Sequence, residues 1–325
     1  MLYPLKFEPI YKERIWGGSK LRNNYDRIYP EDALIGESWE ISGLQGDVSV
    51  VSNGTLAGND IQELTEVYMG DLVGDSVYEK FGEEFPVLVK LLDTSDTLSV
   101  QVHPGDELAI ERHNAYGKTE MWYILDAEKD SYIYLGFNKN VTLDEYLRHS
   151  EAGTVDQLLR KEKVSKGDVF FVPSGTIHAI GKGIVLAEIQ QASDITYRIF
   201  DWNRKDSKGN PRDLHAELAI DAICFGKPQK YRVESGTSKN DPVEITKCPS
   251  FTVNVIDVDE VLVRDYAALD SFVIYVCLEG EVIVECDGGA EGIMDTETLL
   301  IPAMFDEVKL SGRGKMLEIY IGENK

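Results

Sequence analysis

What most restricts this chain is a succession of short apolar runs, rich in β-branched and aromatic residues and closed off by glycine, proline or acidic turns. FPVLVKLLD, LSVQVHP, EMWYILDA, SYIYLGF, DVFFVPSG and IVLAEIQQ occupy the first part, and FTVNVIDV, SFVIYVCLEG, EVIVECDG, TLLIPAM and KMLEIYIG the last. Such runs suit a pleated, half-buried surface, and their short connections leave little room for crossover helices. They predict a mainly β fold of sandwich or barrel type. Helical patterning is local. Residues 59–83 space Ile61, Leu64, Val67 and Tyr68 as on one helix, and Thr142 with Glu145 and Thr154 with Gln157 form capping boxes that each open a short helix. Pro211 opens another, with Leu214, Leu218 and Ile223 on a common face.

A polar stretch at 233–243, VESGTSKNDPV, reads as a linker and gives two domains, 1–235 and 236–325. The formal net charge of -24 argues against nucleic acid or an anionic membrane as partner, since both need a basic footprint. The N-terminal segment MLYPLKFEPIYKERIWGG has no unbroken apolar core of a secretory signal, and no apolar run reaches the ~20 residues of a membrane span. The cysteines Cys224, Cys248, Cys277 and Cys286 form no CxxC pair. A hairpin turning at Glu279-Gly280 would set Cys277 opposite Val282 and Cys286 opposite Val273, so a disulfide between them is not expected. Reduced thiols without a signal predict a cytoplasmic protein, monomer or homodimer.

The five histidines all lie at or before His215, which confines any imidazole site to the first part of the chain. In an extended strand, side chains at i and i+2 share a face, so Gln101 with His103, and Lys118 with Glu120, can each point at one centre. In GDVFFVPSGTIHAI a strand ends at a Pro-Ser-Gly turn that presents His178. Gly167, Pro173, Gly175 and His178 match the second cupin motif, G-x5-P-x-G-x-x-H, and Gln101-Val102-His103 resembles the first with glutamine in place of its leading histidine. The resemblance implies jelly-roll barrels with a small internal site. Two imidazoles, a carboxylate and an amide oxygen would suit one Zn²⁺, with Mn²⁺, Fe²⁺ or Co²⁺ also compatible. His113, His149 and His215 lie in polar or helical contexts and read as structural.

With these anchors the chain resembles the type I mannose-6-phosphate isomerases, in their short bacterial form. Gln101-Val102-His103-Pro104 is similar to that family's Q-x-H-P segment, Lys118-Thr119-Glu120 to its K-x-E, and Ser193-Asp194 with Arg198 to its S-D-x-x-x-R. Lys90 stands where the family places an active-site lysine, and Trp16–Gly18 and Gly36–Ser42 add further likeness. Gly117 stands where some members carry a histidine, so a mechanism using that histidine as base cannot operate here. The resemblance implies metal-dependent interconversion of mannose 6-phosphate and fructose 6-phosphate through a cis-enediol, with Gln101, His103, Glu120 and His178 as metal ligands.

Such a reaction needs a polarised carbonyl, a base and a clamp for phosphate. Residues 161–212 hold 9 Lys/Arg against 6 Asp/Glu, a local excess of +3 in an acidic chain. Arg198, with Lys90 and Lys118, is the candidate clamp, because guanidinium forks match phosphate oxygens. Lys118 and Asp194, followed by Lys90, are candidates for the base, a lysine only if its neighbours depress its pKa. The tail aligns TETLLIPAMFDE with GDVFFVPSGTIH, placing Pro302 at Pro173 and Glu307 at His178. It reads as a second, degenerate jelly roll without metal, the helices being peripheral. The alternatives are another cupin sugar-phosphate isomerase and a non-catalytic sugar-binding cupin. A cupin dioxygenase would not need the basic S-D-x-x-x-R segment.

Overall fold

The regular structure is mainly β, and the computed structural model describes residues 1–205, 209–234 and 236–322. Lys208 of the basic stretch and the expected domain boundary at 235 lie outside the described residues. The chain divides into two compact units, neither continuous in sequence. Met1–Ile10, Trp39–Lys90 and the chain from Glu234 onward form one, and Tyr11–Ser38 with Leu91–Val233 the other. The passage at 233/234 falls on the polar stretch. Within the first of these units, Leu5 pairs with Leu300 and Phe7 with Val51.

In the unit containing Leu91–Val233, a five-stranded sheet runs in the order Tyr197–Phe200, Val100–Val102, His178–Ile180, Tyr132–Phe137, Leu159–Lys163. A second sheet has Ile184–Gln191, Glu120–Ala127, Val169–Val172 and Arg232–Val233 as successive neighbours. Strand alternation sorts the apolar side chains into two clusters. Trp122, Ile124, Phe170 and Leu186 from the second sheet meet Ile133, Leu135 and Ile180 from the five-stranded one. On the five-stranded sheet's other face, Val100, Val102, Ala179 and Tyr197 pack with Tyr146, Ala219 and Ala222 from helices Leu143–Glu151 and Ala216–Ala222. The residues between Val100 and Val102, and before Ala179, are thereby turned inward.

The helices depart from the sequence reading in three places. Residues 61–81 form three short helices rather than one, broken at Met69 and Gly74, whose φ values are +46° and +97°. Thr142 caps its helix by accepting from Glu145 N, but Thr154 leaves its 3-10 turn uncapped and bonds His149 Nδ1 at 2.9 Å. The last helix begins at Ala216 rather than at Pro211, and Leu214 and Leu218 stay largely exposed while Ile223 is buried.

In the other unit, a sheet of order Val243–Cys248, Phe251–Val258, Glu307–Tyr320, Val273–Cys286, Gly289–Met294 is extended by Leu262–Asp265 and Thr298–Ile301. The hairpin expected at Glu279-Gly280 does not form. Val273–Cys286 is one 14-residue strand that absorbs a register shift between Cys277 and Glu279, with Gly280 at φ +90°. All four cysteines are free. Glu307 is exposed at a strand end opposite Asp265. Among the described residues, no helix is long and apolar enough to cross a membrane.

Candidate metal centre

Register across three antiparallel strands builds one wall of the site. His178 lies opposite Gln101, and Gln101 opposite Arg198, so the three side chains form a row on the inward face. His103 continues that face just beyond the strand end. From the second sheet, Glu120 opens its strand and Lys118 precedes it by one strand period. Backbone bonds lock these segments together. Gly175 N donates to His103 O at 2.8 Å, and Lys118 N donates to Pro104 O at 3.1 Å. Glycine is required at 175: its φ is +83°, and a Cβ there would lie 2.5 Å from Cys224 Sγ.

His103, Glu120 and His178 are buried, and their candidate ligand atoms all lie within 4.8 Å of one another. Nε2 of His178 is 3.4 Å, and Nε2 of His103 3.6 Å, from the Glu120 carboxylate. The opposite nitrogens fix the tautomers. His103 Nδ1 sits 2.9 Å from Ile195 O and His178 Nδ1 2.9 Å from Thr176 O. A carbonyl only accepts, so each Nδ1 carries the proton and each Nε2 turns a lone pair toward Glu120. Burial lowers the His178 pKa to about 4, which keeps that ring neutral near pH 7.

Two lone pairs and a carboxylate converging on one small volume make a site for a cation. The Lys118 ammonium meets part of that demand, 3.2 Å from Glu120 Oε2 and 3.3 Å from His103 Nε2. The donor set fits a divalent ion of borderline hardness. Gln101 borders the same space, with its amide nitrogen 3.2 Å from His178 Nε2. An oxygen donor there requires the carboxamide turned over, an exchange of near-isosteric ends.

The remaining expected residues are placed differently. Burial alone would lower the Lys118 pKa, but Glu120, Glu188 and Glu37 outweigh it and raise the group above its ordinary value. Asp194 is exposed on the connection between two strands, next to the Ile195 carbonyl that orients His103. Lys90 belongs to the other unit, buried with its ammonium 5.0 Å from the centre of the Trp39 ring. Arg198 is half-buried and donates from Nη1 to Asp213 O at 2.9 Å. Its Nε is buried with no hydrogen-bond partner among the described residues. Burial, then the nearby Arg212, lower its pKa.

Three features escaped the sequence reading. Glu188, buried in an otherwise apolar strand, accepts from Trp122 Nε1 at 3.1 Å, and the Trp122 ring packs edge-on 5.3 Å from His178. Its signal was an acid at the inward period of IVLAEIQQ. Arg204 and Arg212 both engage the buried Asp201, three residues beyond Arg198. At position 117 a side chain has no room: a Cβ there would lie 2.6 Å from Asp106 N and 2.7 Å from the Gly105 carbonyl carbon.

Comparison with known proteins agrees with this arrangement. The model for the catalytic domain of type I phosphomannose isomerase matches residues 4–135, and that for the mannose-6-phosphate isomerase cupin domain matches residues 243–321. The chain is 46% identical to mannose-6-phosphate isomerase ManA of Bacillus subtilis over 68% of each sequence. It is 42% identical to a mannose-6-phosphate isomerase of Streptococcus mutans over 70% of each. The crystal structure of the mannose 6-phosphate isomerase from Bacillus subtilis superposes with a TM-score of 0.87 at 32% identity, covering 97% of this chain and 99% of that one. Homology over this extent, on top of the His-Glu-His centre, places the chain in the type I mannose-6-phosphate isomerase family.

Proposed function

We propose that this chain interconverts mannose 6-phosphate and fructose 6-phosphate through a cis-enediol, using one divalent metal, Zn²⁺ foremost, held by Gln101, His103, Glu120 and His178. The observation that carries the reading is the convergence of two neutral imidazole lone pairs on the buried Glu120 carboxylate. When bound, the metal supplies Lewis acidity toward the substrate oxygens at C1 and C2. Lys118, with its ammonium 3.2 Å from the Glu120 carboxylate, stands where it can donate to the oxygen on which negative charge develops. The proton exchanged between C1 and C2 then falls to Lys118 or Asp194. Arg198 offers a buried, unpartnered Nε to the phosphate or the developing charge.

The same reading takes the fold as two jelly-roll barrels, with the chemistry in residues 1–235 and a metal-free, degenerate barrel in 236–325. It takes the protein as a cytoplasmic monomer or homodimer, in keeping with four free thiols. A coupled assay on fructose 6-phosphate, with chelator and with metals added back, tests the function. Turnover abolished by chelator and restored by Zn²⁺ or Mn²⁺ is expected. Turnover of a different aldose phosphate alone would move the assignment to another cupin sugar-phosphate isomerase. Binding without turnover would make the chain a sugar-binding cupin.

A further inference from the structure

Arg198 lies on Tyr197–Phe200, the edge strand of the five-stranded sheet. In a strand the N–H and C=O of one residue point to the same side, so an edge residue that does not bond its inner neighbour leaves both groups without a ladder. At Arg198 a single residue satisfies both. Arg198 N donates to His215 Nδ1 at 3.1 Å, and His215 N donates to Arg198 O at 2.7 Å. The imidazole thus stands where a further strand would supply a carbonyl. Two residues earlier, the Asp213 carbonyl takes the Arg198 Nη1 hydrogen at 2.9 Å. One turn therefore grips this arginine at its amide, its carbonyl and its guanidinium, while Nε is buried with no hydrogen-bond partner among the described residues.

The grip has a firm seat. His215 immediately precedes helix Ala216–Ala222 and accepts the Ala219 N–H at 2.9 Å. Ala219 and Ala222 are packed into the same core cluster as Tyr197 and Ile199, the neighbours of Arg198. The bond also fixes the tautomer, since Nδ1 must be the unprotonated nitrogen to accept from Arg198 N. We propose that His215 is a positioning residue for Arg198, its Nδ1 replacing a strand carbonyl so that the arginine is held on the inward face opposite Gln101. This rests on the reading that Arg198 engages the substrate.

The test compares His215→Ala, His215→Asn and His215→Gln with Arg198→Ala and the double variant. Asparagine can bring its Oδ1 near the place of Nδ1, whereas glutamine reaches toward Nε2. His215→Ala should lower kcat/KM about 10-fold, in whichever of kcat or KM Arg198→Ala also changes, with metal content retained. Asparagine should recover to within about 3-fold of the starting enzyme and glutamine should not. The double variant should be no slower than Arg198→Ala alone, because a positioning residue has nothing left to position. Losses that multiply, or asparagine no better than glutamine, would overturn the proposal. Hydrogen exchange at the Arg198 amide is read in parallel, fast in His215→Ala and protected again in His215→Asn. That readout stands even if neither sugar phosphate is turned over, so a failure of the functional reading is distinguishable from a failure of the grip. Should His215→Ala not fold, the asparagine and glutamine variants carry the comparison.

Discussion

Glu120 in one unit and Glu318 in the other are both wholly buried, and the two are treated in opposite ways. Glu318 stands in a row with Asn254 and Tyr275 across three strands. Arg264 donates to it from Nε at 2.8 Å and from Nη2 at 3.2 Å, Asn254 Nδ2 donates at 2.6 Å, and the Tyr266 hydroxyl adds a further bond. Burial alone would weaken the Arg264 charge, but Glu318 pushes its pKa up. Every group turned on Glu318 is a donor built into the chain, so the charge is closed from within. Glu120 instead faces two imidazole lone pairs as well as the Lys118 ammonium. A buried acid surrounded by donors is structural. One toward which imidazole lone pairs also turn offers a place for a cation.

The sharpest way to break this contrast is to remove an acceptor from the open centre. His178→Ala should lower turnover by at least ~10³-fold, roughly 4 kcal/mol of barrier, with metal falling below about 0.2 per chain while the protein still folds. Full metal by elemental analysis with near-normal rates would sink the contrast. Next in size is the closed centre. Arg264→Met should strip Glu318 of its counter-charge and reduce unfolding free energy by about 3 kcal/mol, read by denaturant titration. Metal content should not change, and a loss of metal would show that Glu318 also serves the first centre.

Arg198→Ala comes third, with kcat/KM down at least ~100-fold, roughly 2.7 kcal/mol, and metal occupancy intact. Lysine should rescue it only partly, because a point charge cannot reproduce a two-pronged contact. Near wild-type kinetics would leave Arg198 outside the reaction. The smallest effect sharpens the contrast from the other side. Glu307→Ala, at an exposed strand end, should change stability by no more than about 0.5 kcal/mol and leave turnover and metal content as they were.

The metal-facing residues were legible because their geometry is local. Strand period put Gln101 with His103 and Lys118 with Glu120, and a glycine-dependent turn delivered His178. What failed to show was whatever depends on partners far along the chain. Glu188 is one acid in an apolar strand until Trp122 is seen opposite it. The Asp201 cluster joins residues whose charges read simply as a basic stretch. Glu279-Gly280 has turn chemistry, yet the long partner strand Glu307–Tyr320 continues past it and makes a bulge the better solution. Leu214 suggested a helical face, but backbone bonds to Arg198 hold His215 at the helix entrance, and the helix starts after it.

The crowding at Gly117 limits what substitution at that position alone can do. Histidine at this position would drive its first side-chain carbon into the main chain at Gly105 and Asp106, which cannot step aside as a flexible side chain could. A side chain at 117 therefore needs the main chain at Gly105 and at the start of helix Asp106–His113 to shift as well. Saturation mutagenesis of residue 117 alone should return glycine almost exclusively, whereas libraries that also vary 105 and 106 should admit larger residues.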